Sequence, residues 1–364
     1  MRPQWFLLRA ACQHGCVTTV RPPESLADIV DIARHGATHQ RTIAFGPIPL
    51  VVATESEHQL DDLAAHLAPS EYPGWRPLQV ATVTADTLPI DHLPPELRPI
   101  NDDEICTMRD GKLIAIAAGA ERALWVLDPD RSVAVRWVSE YGDLSPWETI
   151  SPLRTAGRWW ATEHGASMVH AGAVGDDRGA VLLVGDGGAG KSTTTMACLG
   201  SGLEVLGDDY CFVEPPGLCD GVDDDVVVHA TYRLAKLDDN SLRLLPHLRQ
   251  RVVGTGLRGK SLIQLNELAR AQRPVRALCH VVQRHGQPTE VESMSRIEAL
   301  RAVAPSTMFQ VRLFERETWE GLAAAVRTLP CFRLLVGDLG EVPDVLSNLI
   351  DRVARDARDA RDAR

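Results

Sequence analysis

Short apolar runs separated by turn residues are the dominant pattern over the first 150 positions of the chain. Runs rich in apolar and β-branched side chains predict strands, and apolar residues three or four positions apart predict helices. The predicted strands are 42–45, 49–54, 113–117, 123–127 and 132–138, and the predicted helices are 24–34 and 56–67. We therefore predict a strand-rich α+β domain over 1–150. It shows no catalytic constellation, and we expect it to recognise a substrate or to support a homo-oligomer.

Apolar strands alternate with amphipathic helices in the second half of the chain, a pattern typical of an α/β domain. We predict this domain over 151–353, entered by a helix at 150–165. The other predicted strands are 167–174, 180–184, 203–207, 226–234, 275–284 and 331–336, and the other predicted helices are 295–303, 316–328 and 343–357. The remaining residues, 354–364, alternate arginine, aspartate and alanine, which predicts a solvated charged tail.

A glycine-rich loop follows the apolar run 181–184 and matches the pattern G-x-x-x-x-G-K-[ST]. Glycines allow such a loop to curl until several backbone N–H groups point at one phosphate, and the start of the next helix adds positive potential. Lys191 can reach the terminal phosphates of a nucleotide, and the Ser192 hydroxyl can hold Mg²⁺. The predicted nucleotide-binding residues are Gly185, Asp186, Gly187, Gly188, Ala189, Gly190, Lys191, Ser192 and Thr193.

Two adjacent aspartates end the strand predicted at 203–207. The 17 positions between Lys191 and Asp208 fit a helix of about ten residues that leaves the loop and a short strand that returns. Because a crossover between parallel strands returns both strand ends to one edge of the sheet, we expect Asp208 and Asp209 beside the bound phosphates. One carboxylate can then support Mg²⁺, and the other can accept the proton of an attacking hydroxyl.

His170 lies near the start of the strand predicted at 167–174. Histidine suits acid–base chemistry near neutral pH, whereas a single histidine on an apolar strand is more often a hydrogen-bonded core residue. The local sequence leaves both interpretations open.

Net charge and composition restrict the partners. The net charge of −11 argues against a nucleic-acid partner, because phosphate backbones bind basic surfaces. No apolar run reaches the length of a membrane helix, and residues 1–9 make a poor signal peptide, so we expect no membrane partner and a cytoplasmic location. The close pair Cys12 and Cys16 lacks a second pair that would complete a zinc site, and we expect reduced, mostly buried thiols.

The combination of His170, the loop 185–192 and the pair Asp208 and Asp209 resembles the catalytic domain of HPr kinase/phosphorylase and its relatives. The resemblance covers about 165–212 and implies the fold shared with ATP-dependent phosphoenolpyruvate carboxykinases. It implies that Lys191 and the loop amides hold the β- and γ-phosphates of ATP, and that Ser192 and Asp208 serve Mg²⁺. It also implies that Asp209 is the base toward the acceptor hydroxyl, with His170 beside the pair, although the order of the two aspartates can be reversed.

The chain departs from that family at two points. Thr193 stands where the family usually has glutamate, and the downstream signature E-[IV]-R-G-[LM]-G is missing, so neither recognition of HPr nor phosphorolysis is implied. Arg233, Lys236 and the segment 304–310 are instead similar to a subgroup that phosphorylates ribosomally made peptide precursors, such as those of lasso peptides. Arg233 or Lys236 either steadies phosphate charge or lies on the surface. The segment 254–261, which contains Lys260, is either a loop that closes over the nucleotide or a plain flexible loop.

These observations predict an α/β P-loop domain of the HPr kinase and phosphoenolpyruvate carboxykinase type behind the α+β domain. The leading hypothesis is a kinase that uses ATP and Mg²⁺ to phosphorylate a hydroxyl, most simply serine in a peptide or protein. The alternatives are a kinase of a small hydroxylated metabolite and a regulatory protein that binds ATP without transferring phosphate. An ATPase or GTPase motor is disfavoured, because the chain lacks N-K-x-D and S-G-G-Q after the loop.

Overall fold

The computed structural model describes residues 23–68, 74–98, 104–119, 122–218, 225–265, 272–308 and 314–362, so Cys12 and Cys16 lie outside the described residues. The chain forms two units, of which the first takes its residues from 1–43, 49–66 and 76–156 and the second from 44–48, 67–75 and 157–364. This division differs from the predicted boundary at 150. The chain passes from one unit to the other inside a helix, Arg154–Glu163, where no change of composition marks the transition.

The first unit is built on a mixed sheet. Its helices are α1 (Leu26–Gly36), α2 (Glu57–His66) and α3 (Pro146–Ile150), and its strands are β1 (His39–Phe45), β2 (Ile48–Thr54), β3 (Leu78–Thr84), β4 (Ile105–Asp110), β5 (Leu113–Ala118), β6 (Ala123–Asp128) and β7 (Val133–Val138). The strand order is β1-β2-β3-β7-β6-β5-β4, with β3 parallel to β2 and β7. Single turns of 3₁₀ helix cover 90–92, 95–97 and 141–143. Sequence analysis missed β3 and the mostly exposed β4.

Helix α1 shows how the sequence of this unit produces its fold. Ser25 and Asp28 form a reciprocal capping box that satisfies the first backbone donors of the helix. The apolar stripe of α1, which includes Ile29 and Val30, is buried in one cluster with side chains of the sheet. Strands β6 and β7 are buried along their whole length, so they form the centre of this unit.

The second unit is an α/β structure. Its helices are α4 (Arg154–Glu163), α5 (Lys191–Ala197), α6 (Asp239–Leu244), α7 (Arg296–Met308), α8 (Glu315–Thr328) and α9 (Val342–Asp362). Its strands are β8 (Ser167–Val169), β9 (Gly172–Asp176), β10 (Gly179–Val184), β11 (Glu204–Gly207), β12 (Cys211–Glu214), β13 (Val227–His229), β14 (Leu234–Leu237), β15 (Val252–Thr255), β16 (Ser261–Gln264), β17 (Gln272–Gln283), β18 (Glu290–Ser293) and β19 (Cys331–Val336). Short 3₁₀ helices cover 246–251, 257–259 and 339–341.

Two apolar cores lie on opposite faces of the main sheet. The sheet follows the order β11-β9-β10-β17-β13-β12-β8, and β19 joins β17 and carries β18. Val181 and Leu183 of β10 contribute to one core with residues of α5 and α9. Leu182 and Val184 contribute to the other core, which contains residues of α7 and α8. Successive side chains of a strand point to opposite faces, and β10 therefore reads as a continuous apolar run.

The structure corrects several sequence predictions in this unit. The single strand predicted at 167–174 is divided at His170, because β8 pairs with β12 whereas β9 pairs with β10 and β11. Helix α5 is shorter than the ten residues expected, and the left-handed Gly200 and Gly202 follow its end. The segment 254–261 is not a plain loop but the turn of the hairpin β15–β16, closed by a 2.7 Å hydrogen bond from Gly256 N to Lys260 O. The predicted tail continues α9 as helix to Asp362.

None of the described helices combines the length and the apolar composition that crossing a bilayer requires.

The first unit buries an ion pair whose removal tests its core. Arg136 on β7 donates from Nη1 to Glu148 Oε2 at 2.7 Å, and their side chains are 0% and 1% exposed. Glu148→Gln leaves the guanidinium without its counter-charge, so we expect a loss of about 3–5 kcal/mol in the free energy of unfolding. The double variant Arg136→Met/Glu148→Leu should lose much less, because it removes both charges. Hydrogen exchange of the β6 and β7 amides in urea measures both, and equal losses would contradict the prediction.

Candidate active site

The glycine-rich loop connects β10 to α5 at one edge of the main sheet. Gly190 has a φ of +90° at the start of α5, a conformation that favours glycine, and its lack of a Cβ leaves room for the Gln283 side chain. Gln283 also donates from its side-chain nitrogen to the Ala189 carbonyl at 3.2 Å. Residues 186–188 are exposed, which leaves the rim of the loop open to a ligand.

Lys191 begins α5, and its ammonium folds back under the loop. It donates to the carbonyl oxygens of Gly185 at 2.8 Å and Asp186 at 3.1 Å. Burial lowers the pKa of Lys191, and the negative charges of Asp208 and Asp209 oppose that shift. The two aspartates therefore lie near enough to the ammonium to stabilise its charge. The positive charge of Lys260 acts in the opposite direction, which places it near the loop as well.

Strand topology explains why the aspartates lie beside the loop. Strands β10 and β11 are both antiparallel to β9, which lies between them, and so they run parallel to each other. Their carboxyl ends therefore share one edge of the sheet, as the crossover argument predicted. Gly207 ends β11, and Asp208 and Asp209 follow directly.

Asp208 is a buried carboxylate with one unsatisfied oxygen. Its Oδ2 accepts from the backbone nitrogen of Lys236 at 3.3 Å, and the nearby Ser192 hydroxyl favours its charged form. Its Oδ1 is buried and finds no hydrogen-bond partner among the described residues. Burial and the negative charge of Asp209 raise the pKa of Asp208. A buried carboxylate oxygen without a partner lowers the stability of the fold unless a hydrogen-bond donor or a cation binds it.

Asp209 is held from two sides. Its Oδ1 lies 3.1 Å from His170 Nε2, and its Oδ2 accepts from the Lys236 ammonium. Burial alone raises the pKa of Asp209, but the Lys236 charge and the His170 hydrogen bond outweigh it and hold that pKa well below its usual range. The backbone of Asp209 is left-handed, with a φ of +74°, which is uncommon outside glycine. The carboxylate is thus a fixed anion.

His170 is positioned by a neighbouring helix. The break between β8 and β9 frees its backbone N–H, which donates to Thr307 Oγ1 on α7 at 3.2 Å. Thr307 is fully buried, and its carbonyl accepts from Arg158 Nη1 at 3.0 Å. The segment 304–308 therefore buttresses the histidine as part of α7, while 309–310 lie outside the described residues.

The site thus brings together four of the predicted catalytic residues and adds one to them. Lys191, Asp208, Asp209 and His170 meet at one edge of the sheet, and Lys236, which sequence analysis left open, pairs with Asp209. Thr193, directly after the loop, contacts α6, where its hydroxyl lies 2.7 Å from that of Ser241. Arg233 precedes β14, and its Nε is buried without a hydrogen-bond partner in the described part of the chain.

The donor set around Asp208 fits magnesium bound together with a nucleotide. No group of three or more His, Cys, Asp or Glu side chains in the described ranges is arranged to hold a metal by itself. Mg²⁺ is usually held by one or two carboxylates together with water and substrate phosphates, not by a cage of protein ligands. The Ser192 hydroxyl and the unsatisfied Asp208 Oδ1 supply oxygen ligands of the required kind.

Comparison with known proteins leaves this chain without a family assignment. No family model matches it, and no curated protein matches it. Among solved structures, the HPr(Ser) kinase/phosphatase from Coxiella burnetii is similar over 54% of this chain and 97% of its own, with 12% identity and a TM-score of 0.30. A likeness at that level supports no transfer of function, and the proposals below rest on the residues of this chain.

Replacing Lys236 tests whether it holds Asp209 as an anion. Lys236→Met should raise the pKa of Asp209, because burial raises that pKa and the positive charge of Lys236 no longer lowers it. The folded-state pKa of Asp209 lies below the unfolded value of about 3.9, so the pair stabilises the fold above that pH and its contribution disappears as pH falls through the folded pKa. We expect Lys236→Met to cost about 3 kcal/mol at neutral pH and much less in strong acid.

Carboxyl NMR of Asp209 and thermal unfolding across pH measure the two effects. Lys112→Met is the matched control, since Lys112 pairs with Asp130 on the surface at 72% and 65% exposure and its replacement should leave stability nearly unchanged. An Asp209 carboxyl that titrates alike in the wild type and in Lys236→Met would contradict the assignment.

Proposed function

We propose that the chain is a phosphotransferase that moves the γ-phosphoryl group of ATP to a hydroxyl, with serine in a peptide or protein as the acceptor. The observation that carries the proposal is the pair Asp208 and Asp209 beside Lys191, one carboxylate near the Ser192 hydroxyl and the other held by Lys236 and His170. Phosphoryl transfer depends mainly on positioning and charge stabilisation, and this arrangement supplies both.

The loop residues bind the nucleotide in this proposal. Backbone N–H groups of 186–190 surround the β-phosphate, and Lys191 exchanges its bonds to the Gly185 and Asp186 carbonyls for oxygens of the β- and γ-phosphates. Ser192 and Asp208 hold Mg²⁺, which neutralises charge on the phosphates when bound. The raised pKa of Asp208 falls again when a cation approaches, because the cation favours the charged carboxylate.

Asp209 and His170 face the acceptor in this proposal. The acceptor oxygen forms a bond to the γ-phosphorus, the bond from that phosphorus to the bridging oxygen breaks, and ADP leaves. The acceptor proton passes to the Asp209 carboxylate. A carboxylate with a depressed pKa is a weak base, but a loose transition state needs the proton to be removed late, so orientation of the hydroxyl is the main contribution.

A regulatory protein that only binds ATP is the main alternative. It would need the loop and Lys191 but not a left-handed aspartate fixed between a lysine and a histidine, and this geometry favours catalysis. A small hydroxylated metabolite as acceptor agrees equally well with the atoms described so far. The basic residues of the segment 240–265, which contains no aspartate or glutamate, favour a peptide.

The role of Asp209 is tested by Asp209→Asn. We expect transfer of phosphate to fall about 10²–10⁴-fold, the range for loss of a proton acceptor, while the dissociation constant for ATP stays within about threefold. Mass spectrometry of acceptor peptides measures the transfer, and a fluorescent ATP analogue measures the binding. Lys191→Met should instead lose the nucleotide. Transfer retained in Asp209→Asn would reject the assignment, and ATP binding by the wild type without any transfer would favour the regulatory protein.

The role of Asp208 is tested through the metal requirement. Asp208→Asn and Ser192→Ala should each raise the Mg²⁺ concentration for half-maximal activity by about 10–100-fold, because each removes an oxygen ligand or its partner. Asp239→Asn is the matched control, since Asp239 is an exposed carboxylate at the start of α6. An unchanged Mg²⁺ dependence in both site variants would contradict the assignment.

A further inference from the structure

The longest stretch of this acidic chain without an acidic residue lies between Asp239 and Glu267. The chain carries a net charge of −11, yet residues 240–265 contain neither aspartate nor glutamate. The basic residues of this segment are Arg243, His247, Arg249, Arg251, Arg258 and Lys260. It forms the end of α6, the 3₁₀ turn 246–251 and the hairpin β15–β16, and we call these residues the basic lobe.

The basic lobe buries some of its apolar side chains and exposes others. Leu242, Leu248 and Ile263 belong to the core shared with α5 and α9. Leu244, Val252 and Val253 are 53%, 38% and 59% exposed, which makes the lobe the only described segment with three large exposed apolar residues so close in sequence. Exposed apolar residues with a polar rim mark an interaction surface.

Three links place the basic lobe beside the candidate active site. Strand β14, which pairs with β16 of the lobe, carries the Lys236 that holds Asp209. The hydroxyl of Thr193, directly after the phosphate loop, lies 2.7 Å from that of Ser241 at the start of the lobe. The charge of Lys260 acts on Lys191. A partner bound to the lobe therefore lies within reach of the catalytic aspartate.

The charge of the lobe selects the partner. The lobe combines exposed arginines with exposed apolar side chains, which complement a segment that combines acidic with apolar residues, and such pairing directs encounter and register. Strand addition is disfavoured, because β15 is a four-residue edge strand with a bulge at Val253. We propose that the basic lobe docks the acceptor, an acidic peptide segment with apolar anchors, and presents its serine to Asp209. This inference rests on the proposed function and names its substrate class.

Three serine peptides of equal length test the inference. The first peptide places glutamates around valine and leucine, and the second replaces the glutamates by lysines. The third keeps the glutamates but replaces valine and leucine by polar residues other than serine. Fluorescence anisotropy measures binding without ATP, and mass spectrometry with ATP and Mg²⁺ measures transfer. The wild type should bind and phosphorylate the first peptide at least about tenfold better than the other two.

Charge reversal supplies the decisive variant. Arg249→Glu/Arg258→Glu should lose at least about tenfold in affinity for the acidic peptide and should gain preference for the lysine peptide. Val253→Ser should weaken binding of the first peptide without changing that charge preference. Arg327→Glu is the matched control, because Arg327 is exposed on α8 outside the lobe and should leave the preference unchanged.

The outcomes separate the inference from the proposed function. Selective binding that reverses with charge but leads to no phosphate on any peptide would support the docking surface and reject the kinase. Phosphate transfer without preference for the acidic peptide, or a preference that the charge reversal leaves intact, would overturn the docking surface alone. The docking surface would also be overturned if peptide binding persisted in the charge-reversal variant while another function was lost. That other function could be binding of ATP, binding of an RNA or DNA oligonucleotide, or formation of a dimer of this chain.

Discussion

The carboxylate of Asp209, fixed between the Lys236 ammonium and the His170 ring, is the interaction on which the candidate site depends. A carboxylate taken out of water costs several kcal/mol unless charge and hydrogen bonds replace its hydration. Each partner comes from a different element, the histidine from the break between β8 and β9 and the lysine from β14. The ion pair therefore ties the main sheet to the smaller three-stranded sheet at the catalytic edge.

The two neighbouring aspartates have pKa values shifted in opposite directions, although they are adjacent in the chain. The pKa of Asp208 is raised by burial and by the charge of Asp209, whereas the pKa of Asp209 is lowered by Lys236 and His170 despite its burial. Two neighbouring acids whose pKa values are shifted in opposite directions are suited to different chemical roles. An oxygen without a partner suits Asp208 to a cation, and a permanent anion suits Asp209 to orient a hydroxyl, which is the order we propose.

Local features of the site could be predicted from the sequence, whereas contacts between distant segments could not. The strand, the glycine loop and the acid pair lie within 30 residues, and secondary-structure geometry alone relates them. The pairing of Lys236 with Asp209 depends on the position of β14 in a separate three-stranded sheet. The hydrophobic periodicity of the sequence does not predict which sheet a strand joins. The break at His170 was missed because apolar residues continue through it, and only the change of strand partner reveals it. The unit boundary was displaced because a continuous helix spans it.

Three departures from ordinary protein structure lie at this edge. Asp209 has left-handed backbone, which costs about 1–2 kcal/mol for such a residue, and Asp208 keeps a buried oxygen without a partner. Lys191 buries an ammonium that two backbone carbonyls and the nearby carboxylates stabilise. The buried oxygen of Asp208 and the buried ammonium of Lys191 each destabilise the fold when considered alone. A magnesium-bound triphosphate would satisfy both, because it brings a cation to the carboxylate and anions to the ammonium. Their coincidence at this edge is therefore more consistent with a ligand than with a purely structural network.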